Sequence, residues 1–158
     1  MNRSLYTGYL FFVLAAGMIP SCQPKSAVTI DAPTPSPLLK VSQGLSMMSA
    51  VTAESVLAVI DMNKNNLLDK GQTVMLLDVL EKVAHGGKEA TDAVRKLNSL
   101  SDADRKSLSL VVEPMLAAVN DGLVLVANMG PESQIKARAV LLAIQSTLAV
   151  VQASLEVR

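Results

Sequence analysis

From residue 42 onward, apolar side chains recur every three or four positions, and no stretch alternates apolar with polar residues for long enough to suggest a strand. A first helix is expected over 42–60, with Leu45, Met48, Val56 and Val59 on one side. A second, over 70–85, turns Leu76, Leu77, Leu80, Val83 and Ala84 inward and sets Asp78 and Lys82 outward at i,i+4. Gly86-Gly87 reads as its stop, since glycine is the usual residue just past a helix C-terminus. A short third helix follows over 88–98, with Ala90, Ala93, Val94 and Leu97 as its apolar set. Ser101 then caps a fourth, with Asp104 three residues on in an approximate capping box.

The last two segments step most regularly. Leu108, Val112, Met115, Val119, Gly122, Val126 and Met129 alternate spacings of four and three, and Ala137, Leu141, Ile144, Leu148, Val151 and Leu155 do the same. Pro114 and Asn120-Asp121-Gly122 should bend or interrupt the first of these. Gly130-Pro131 forms the turn, with Pro at a first helical position. The fold class expected is all-α: a small bundle of four or five helices over 42–158, closed by an antiparallel hairpin. The last helix could also be weighed as a membrane span. Gln145, Ser146, Thr147 and Gln152 interrupt its apolar run, and Arg138 and Glu156 stand only about 27 Å apart along it. A buried helix is the simpler reading.

Before residue 42 the pattern changes. Pro24, Pro33, Pro35 and Pro37 lie among Ser and Thr, so 22–41 reads as a semi-extended tether of at most about 60 Å. Further upstream, Arg3 and the α-amine precede an apolar run over 9–19, the size of a secretory h-region and too short for about 30 Å of hydrocarbon. Residues 1–21 are therefore expected to be a signal peptide.

Composition narrows function. Tyr6, Tyr9, Phe11 and Phe12 are the only aromatic residues, all inside the expected signal. The remainder has no ring on which to stack a base, sugar or flavin, and no Trp/Tyr belt for a membrane interface. With 14 basic and 14 acidic side chains there is no bulk attraction for nucleic acid. Cys22 is the single cysteine, so no internal disulfide can form and the domain must rest on its own core.

Ile19-Pro20-Ser21-Cys22 resembles the lipobox of bacterial lipoproteins, although Pro20 stands where a small or branched residue is usual. The resemblance implies cleavage before Cys22, lipidation of its thiol and attachment to the bacterial envelope. Gln23 is not the Asp that retains many lipoproteins at the inner membrane, so by the same resemblance the outer membrane is favoured. Ordinary cleavage after Ala15-Ala16-Gly17, leaving a free thiol, is the alternative.

Residues 61–72 resemble the twelve-residue EF-hand calcium loop. Asp61, Asn63 and Asn65 fall at positions 1, 3 and 5, Leu67 would offer a carbonyl at 7, and Asp69 a water-mediated contact at 9. Gln72 replaces the bidentate Glu at 12, and Lys64 and Lys70 sit in the loop. Any calcium affinity implied is millimolar or weaker. The same residues would equally suit a turn, with Asp69 capping the next helix.

Little else carries chemistry. His85, the single histidine, is expected at a helix end against the dipole, and Asp102 and Asp104 at a helix start. Glu113 precedes the proline kink. No Ser–His–acid or phosphate-loop pattern is present. The leading expectation is thus a non-catalytic lipoprotein: a tethered helical module binding another envelope protein. The alternatives are a calcium-responsive module on the 61–72 loop and a carrier of an apolar ligand such as lipid, for which Met47, Met48, Met75, Met115 and Met129 would form an adaptable lining.

Overall fold

The computed structural model describes residues 35–156. They form four helices, α1 (Pro37–Lys64), α2 (Lys70–Val94), α3 (Asp102–Val126) and α4 (Pro131–Glu156), with no strand among the described residues. Each helix packs on its neighbours in a ring: α1 on α2, α2 on α3, α3 on α4, and α4 back on α1. Neighbours are antiparallel. Arg105, at the start of α3, reaches the Leu155 carbonyl at the end of α4, and Gly44 near the start of α1 lies against Val151. The result is an up-down-up-down bundle. Thr34–Arg158 forms one compact unit whose core comes from these helices and the loops between them, so it is a self-contained folding unit.

The regular stepping of α3 and α4 is realised in full. Leu108, Val112, Met115, Val119 and Val126 are buried, as are Ala137, Leu141, Ile144, Leu148, Val151 and Leu155. Leu45, Met48, Leu76 and Leu80 complete the interior from the other two helices. The core is aliphatic throughout. Buried hydroxyls at Thr52, Thr147 and Ser154 each donate to the carbonyl four residues back, at 2.8 Å, and so enter the core without a lost hydrogen bond.

Three boundaries differ from the sequence expectation, each for a physical reason. α1 begins at Pro37, inside the stretch read as tether. Ser36 accepts from the Leu39 amide at 3.2 Å as N-cap, and Pro37 occupies an early position where its missing N–H is no loss. Second, Gly86-Gly87 does not stop α2, which absorbs most of the expected third helix and ends at Val94. Neither glycine has positive φ, so no left-handed cap forms. Instead both are buried where neighbours come close: a Cβ at Gly86 would lie 2.7 Å from Met115 Cγ, and one at Gly87 would collide with Met48 Cε. Third, α3 runs unbroken through Pro114 and Gly122. Gly122 is buried, and a Cβ there would stand 3.1 Å from Leu141 Cδ1 and 3.3 Å from Val79 Cγ2.

The same logic sets a testable expectation at Gly44, where an added Cβ would lie 2.8 Å from Val151 Cγ2. Val is stiff about χ1 and cannot turn away. Gly44→Ala should therefore destabilise by about 1–2 kcal/mol, overpacking outweighing the gain of up to about 1 kcal/mol in helix propensity. Gly130, with nothing within 4 Å of a Cβ, should accept Ala without loss. Urea unfolding of the two variants checks this, and equal stability would mean that α1 and α4 are not in close approach.

Candidate functional site

The α1–α2 connection collects the polar residues that resembled a calcium loop. Asp61, Asn63 and Lys64 lie within α1, so residues 65–69 alone form the connection. Asn66 adopts φ 57°, the left-handed region that Asn tolerates. The Leu67 amide then donates to the Met62 carbonyl at 2.9 Å and the Asn66 amide to Asn63 at 3.0 Å, a Schellman-type closure of α1. On the other side Asp69 caps α2. Its Oδ1 accepts from the Gln72 amide at 2.7 Å, and Gln72 Oε1 accepts from the Asp69 amide at 3.1 Å. Gln72 is thus the third residue of a capping box, a position that Gln and Glu both fill.

The Asn63 and Asn65 amide groups and the Leu67 carbonyl make hydrogen bonds as well. The Asp61 carbonyl accepts from Asn65 Nδ2 at 2.8 Å, and the Leu67 carbonyl accepts from the Ser133 hydroxyl at the start of α4. Asn63 Nδ2 donates to the Leu68 carbonyl at 3.2 Å and to Thr73 Oγ1 at 2.9 Å. The Asp61 carboxylate is exposed and 3.8 Å from Lys64 Nζ. Among the described residues no three His, Cys, Asp or Glu side chains stand together as metal ligands would. The twelve-residue loop that the resemblance implied is a five-residue helix connection, closed by two caps.

Elsewhere the structure relocates some expected residues and adds others. His85 lies inside α2, not at a helix end, because the helix continues past Gly86-Gly87; it borders a groove of about 550 Å³ between α2 and α3. Lys82 and Asp78 pair at 2.7 Å on the same groove, and the carboxylate holds the ammonium above the usual lysine range. Asp102 and Asp104 occupy the first turn of α3 as expected, and hydrogen bonds from Ser101 hold the Asp104 carboxyl below its ordinary range. Glu113 is exposed beside Pro114, and α3 continues past both. Of the methionines proposed for an apolar pocket, Met47 and Met75 are exposed, and Met48, Met115 and Met129 are buried in the core, the first two also bordering surface grooves. One residue the sequence gave no reason to single out is Arg105, whose side chain is 14% exposed. It donates to the Leu155 carbonyl at 2.9 Å and so closes the end of α4.

Charge is spread unevenly over the surface. α2 displays exposed pairs, Lys82–Asp78 and, at its end, Arg95–Asp92. α3 carries its charge mainly in the first turn, with Glu113 and Asp121 beyond it, while α1 carries no charged residue over 41–53 and α4 none over 139–155. Those two stretches lie side by side, and their outward positions include Met47, Ala50, Leu142, Ser146 and Val150. By length and composition α1, α3 and α4 are each apolar enough to cross a membrane; α4 drew attention in the sequence, α1 and α3 did not. Cys22, the expected signal peptide and most of the expected tether lie outside the described residues. No protein-family model, curated protein or solved structure matches this chain.

The capping box at Asp69 and Gln72 sets the expected response to calcium. Thermal melts of Thr34–Arg158 with chelator and with about 10 mM calcium should superimpose, because an ion at Asp69 or Gln72 must displace a cap. Asp69→Ala should cost about 1 kcal/mol in either buffer. A calcium-specific rise in midpoint, lost in Asp61→Ala and not reproduced by magnesium, would contradict this and favour the calcium-responsive reading.

Proposed function

We propose that this chain is a non-catalytic helical interaction module of the bacterial envelope, held by a lipid on Cys22 through the proline-rich segment before α1. The observation that carries the interaction reading is the pair of uncharged stretches on the adjoining helices α1 and α4. Solvent-facing helix positions are ordinarily rich in charge, and α2 follows that rule along its length. The adjoining outer faces of α1 and α4 break it over 41–53 and 139–155, where water meets Ser, Ala, Met, Leu and Val. An apolar surface bounded by polar residues is the usual form of a protein contact. The other two helices carry three i,i+3 or i,i+4 ion pairs on or at the ends of the helices, Lys82–Asp78, Arg95–Asp92 and Arg105–Asp102, and surface pairs of this kind are suited to solvation. The anchoring part of the reading rests on the lipobox resemblance at 19–22, and the preference for the outer membrane on Gln23.

A second reading has one observation in its favour. The groove between α1 and α2, about 430 Å³, is lined by Met48, Val56, Val83, Ala84 and Gly87, by the hydroxyl residues Ser49, Thr52 and Thr91, and by Lys88 and the Arg95–Asp92 pair. It has the size to take an apolar chain, with Lys88 as the one cation of its lining not paired to a carboxylate. It is open along the surface, and the uncharged face is the larger departure from an ordinary bundle.

Two measurements in the producing cell test the proposal. Cys22→Ser should abolish incorporation of an alkyne-labelled fatty acid and move the protein from the membrane to the soluble fraction; label retained in that variant would remove the anchor. A photo-cross-linking residue at Ser146 should yield protein adducts, and one at Glu81 on α2 should not. Adducts at neither position, or equally at both, would remove the interaction reading.

A further inference from the structure

Separately from the uncharged stretches, we infer that the groove between α2 and α3 binds a small cationic amphiphile, a primary ammonium group on an apolar chain. The groove, about 550 Å³, is of ligand size, and its two walls differ in chemistry. α3 contributes Leu110, Val111, Pro114 and Met115. α2 contributes Asp78, Glu81 and Glu89, with Lys82 and His85 between them. Gly86, packed on Met115, forms the floor.

Charge selects the sign of the occupant. Lys82 is the one lysine or arginine of the lining, and Asp78 holds it at 2.7 Å. Glu81 and Glu89 have no ion-pair partner among the described residues, so two carboxylates border the groove uncompensated. α3 does not offset them, since over 107–126 its only charged residues are Glu113 and Asp121, both acidic. Lys88 lies on the other side of α2, along the groove with α1. An apolar hollow with an excess of carboxylates favours an apolar molecule that carries positive charge.

Pro114 selects the head group. It has no N–H, so the Leu110 carbonyl four residues back lacks the donor that an uninterrupted α-helix would give it. Leu110 and Pro114 both border the groove, which places that carbonyl at its wall. The contact of Gly86 with Met115 sets the register of the antiparallel pair, and Glu89 then comes level with residue 112, beside Leu110. A carboxylate and a carbonyl short of a donor thus stand at one end of the groove. A primary ammonium, with three N–H donors, can satisfy both at once, and a tertiary or quaternary amine cannot. From Glu89 the groove runs about 16 Å along α2 to Asp78, with Val111, Pro114 and Met115 beside it to cover the apolar chain.

Amide chemical shifts of isotopically labelled Thr34–Arg158, titrated with octylammonium, test the inference. The amides of Gly86, Glu89, Val111 and Met115 should shift together and saturate, with a dissociation constant on the order of 1 mM for so small a probe. Octanoate, with the same apolar character and the opposite charge, should leave them in place. Octyltrimethylammonium, which has no N–H, should bind more weakly. Glu81→Gln combined with Glu89→Gln should raise the constant about fivefold or more. Leu110→Ser, at a position 62% exposed, should also raise it, with an unchanged circular-dichroism spectrum. Glu54→Gln combined with Glu132→Gln, on α1 and α4, should bind as the parent does. The inference would be overturned by no saturating shift at these amides, by equal binding of octanoate or octyltrimethylammonium, or by an unchanged constant in either groove variant. Shifts centred on Thr52 and Val56, in the α1–α2 groove, would overturn it as well.

Discussion

A core without aromatic rings imposes the constraint on which the rest of this structure depends. Phe, Tyr and Trp each bury about 150–250 Å² and can fill the space between well-separated helices. Leu, Val, Ile, Met and Ala bury less and reach less far, so native packing density requires long helices set close together. Both features are present. The helices span 25–28 residues, well above the usual three turns or so. At their contacts stand Gly44, Gly86, Gly87 and Gly122, each with a neighbour's side chain where a Cβ would be. Pairing glycine with methionine at two of these contacts is physically apt, since an unbranched thioether can follow the irregular gap that a bare backbone leaves.

This constraint explains where local signals and the tertiary structure part company. The stepping of α3 and α4 was legible because it depends on periodicity alone, and every position in it is buried. Gly86-Gly87 was not, because a missing Cβ serves two purposes: it permits a left-handed cap, or it admits a neighbouring helix. Only the approach of Met48 and Met115 from two other helices decides between them. Pro37 has the same double meaning, forbidden in a helix interior and welcome at a first turn, and Ser36 before it settles the case. Asp61–Gln72 carries a third ambiguity. Short oxygen-bearing side chains ligate cations and also close helices, and here Asn66, Asp69 and Gln72 close them. Arg105 carried no local signal, since its partner at Leu155 lies fifty residues away.

The uncharged face follows from composition in a different way. Long helices with a wide apolar stripe need charge on their outer side to stay dispersed in water. α2 supplies it along its length and α3 mainly in its first turn, while α1 and α4 leave 41–53 and 139–155 without any, so water serves those two stretches poorly. A tether at residues before α1 would deliver such a module to its partner at high local concentration, where an interface of modest area is sufficient.

The central physical claim is that α2 is one helix, kept continuous through Gly86-Gly87 by the two methionines packed on it. Native-state hydrogen exchange of Thr34–Arg158, read at single amides along α2, tests this most directly. Continuous packing predicts that the amides of Gly86 to Ala90 open only with global unfolding, as slowly as that of Val83. Rapid exchange confined to Gly87, Lys88 and Glu89, with slow exchange on either side, would show two helices joined at a break and contradict the account.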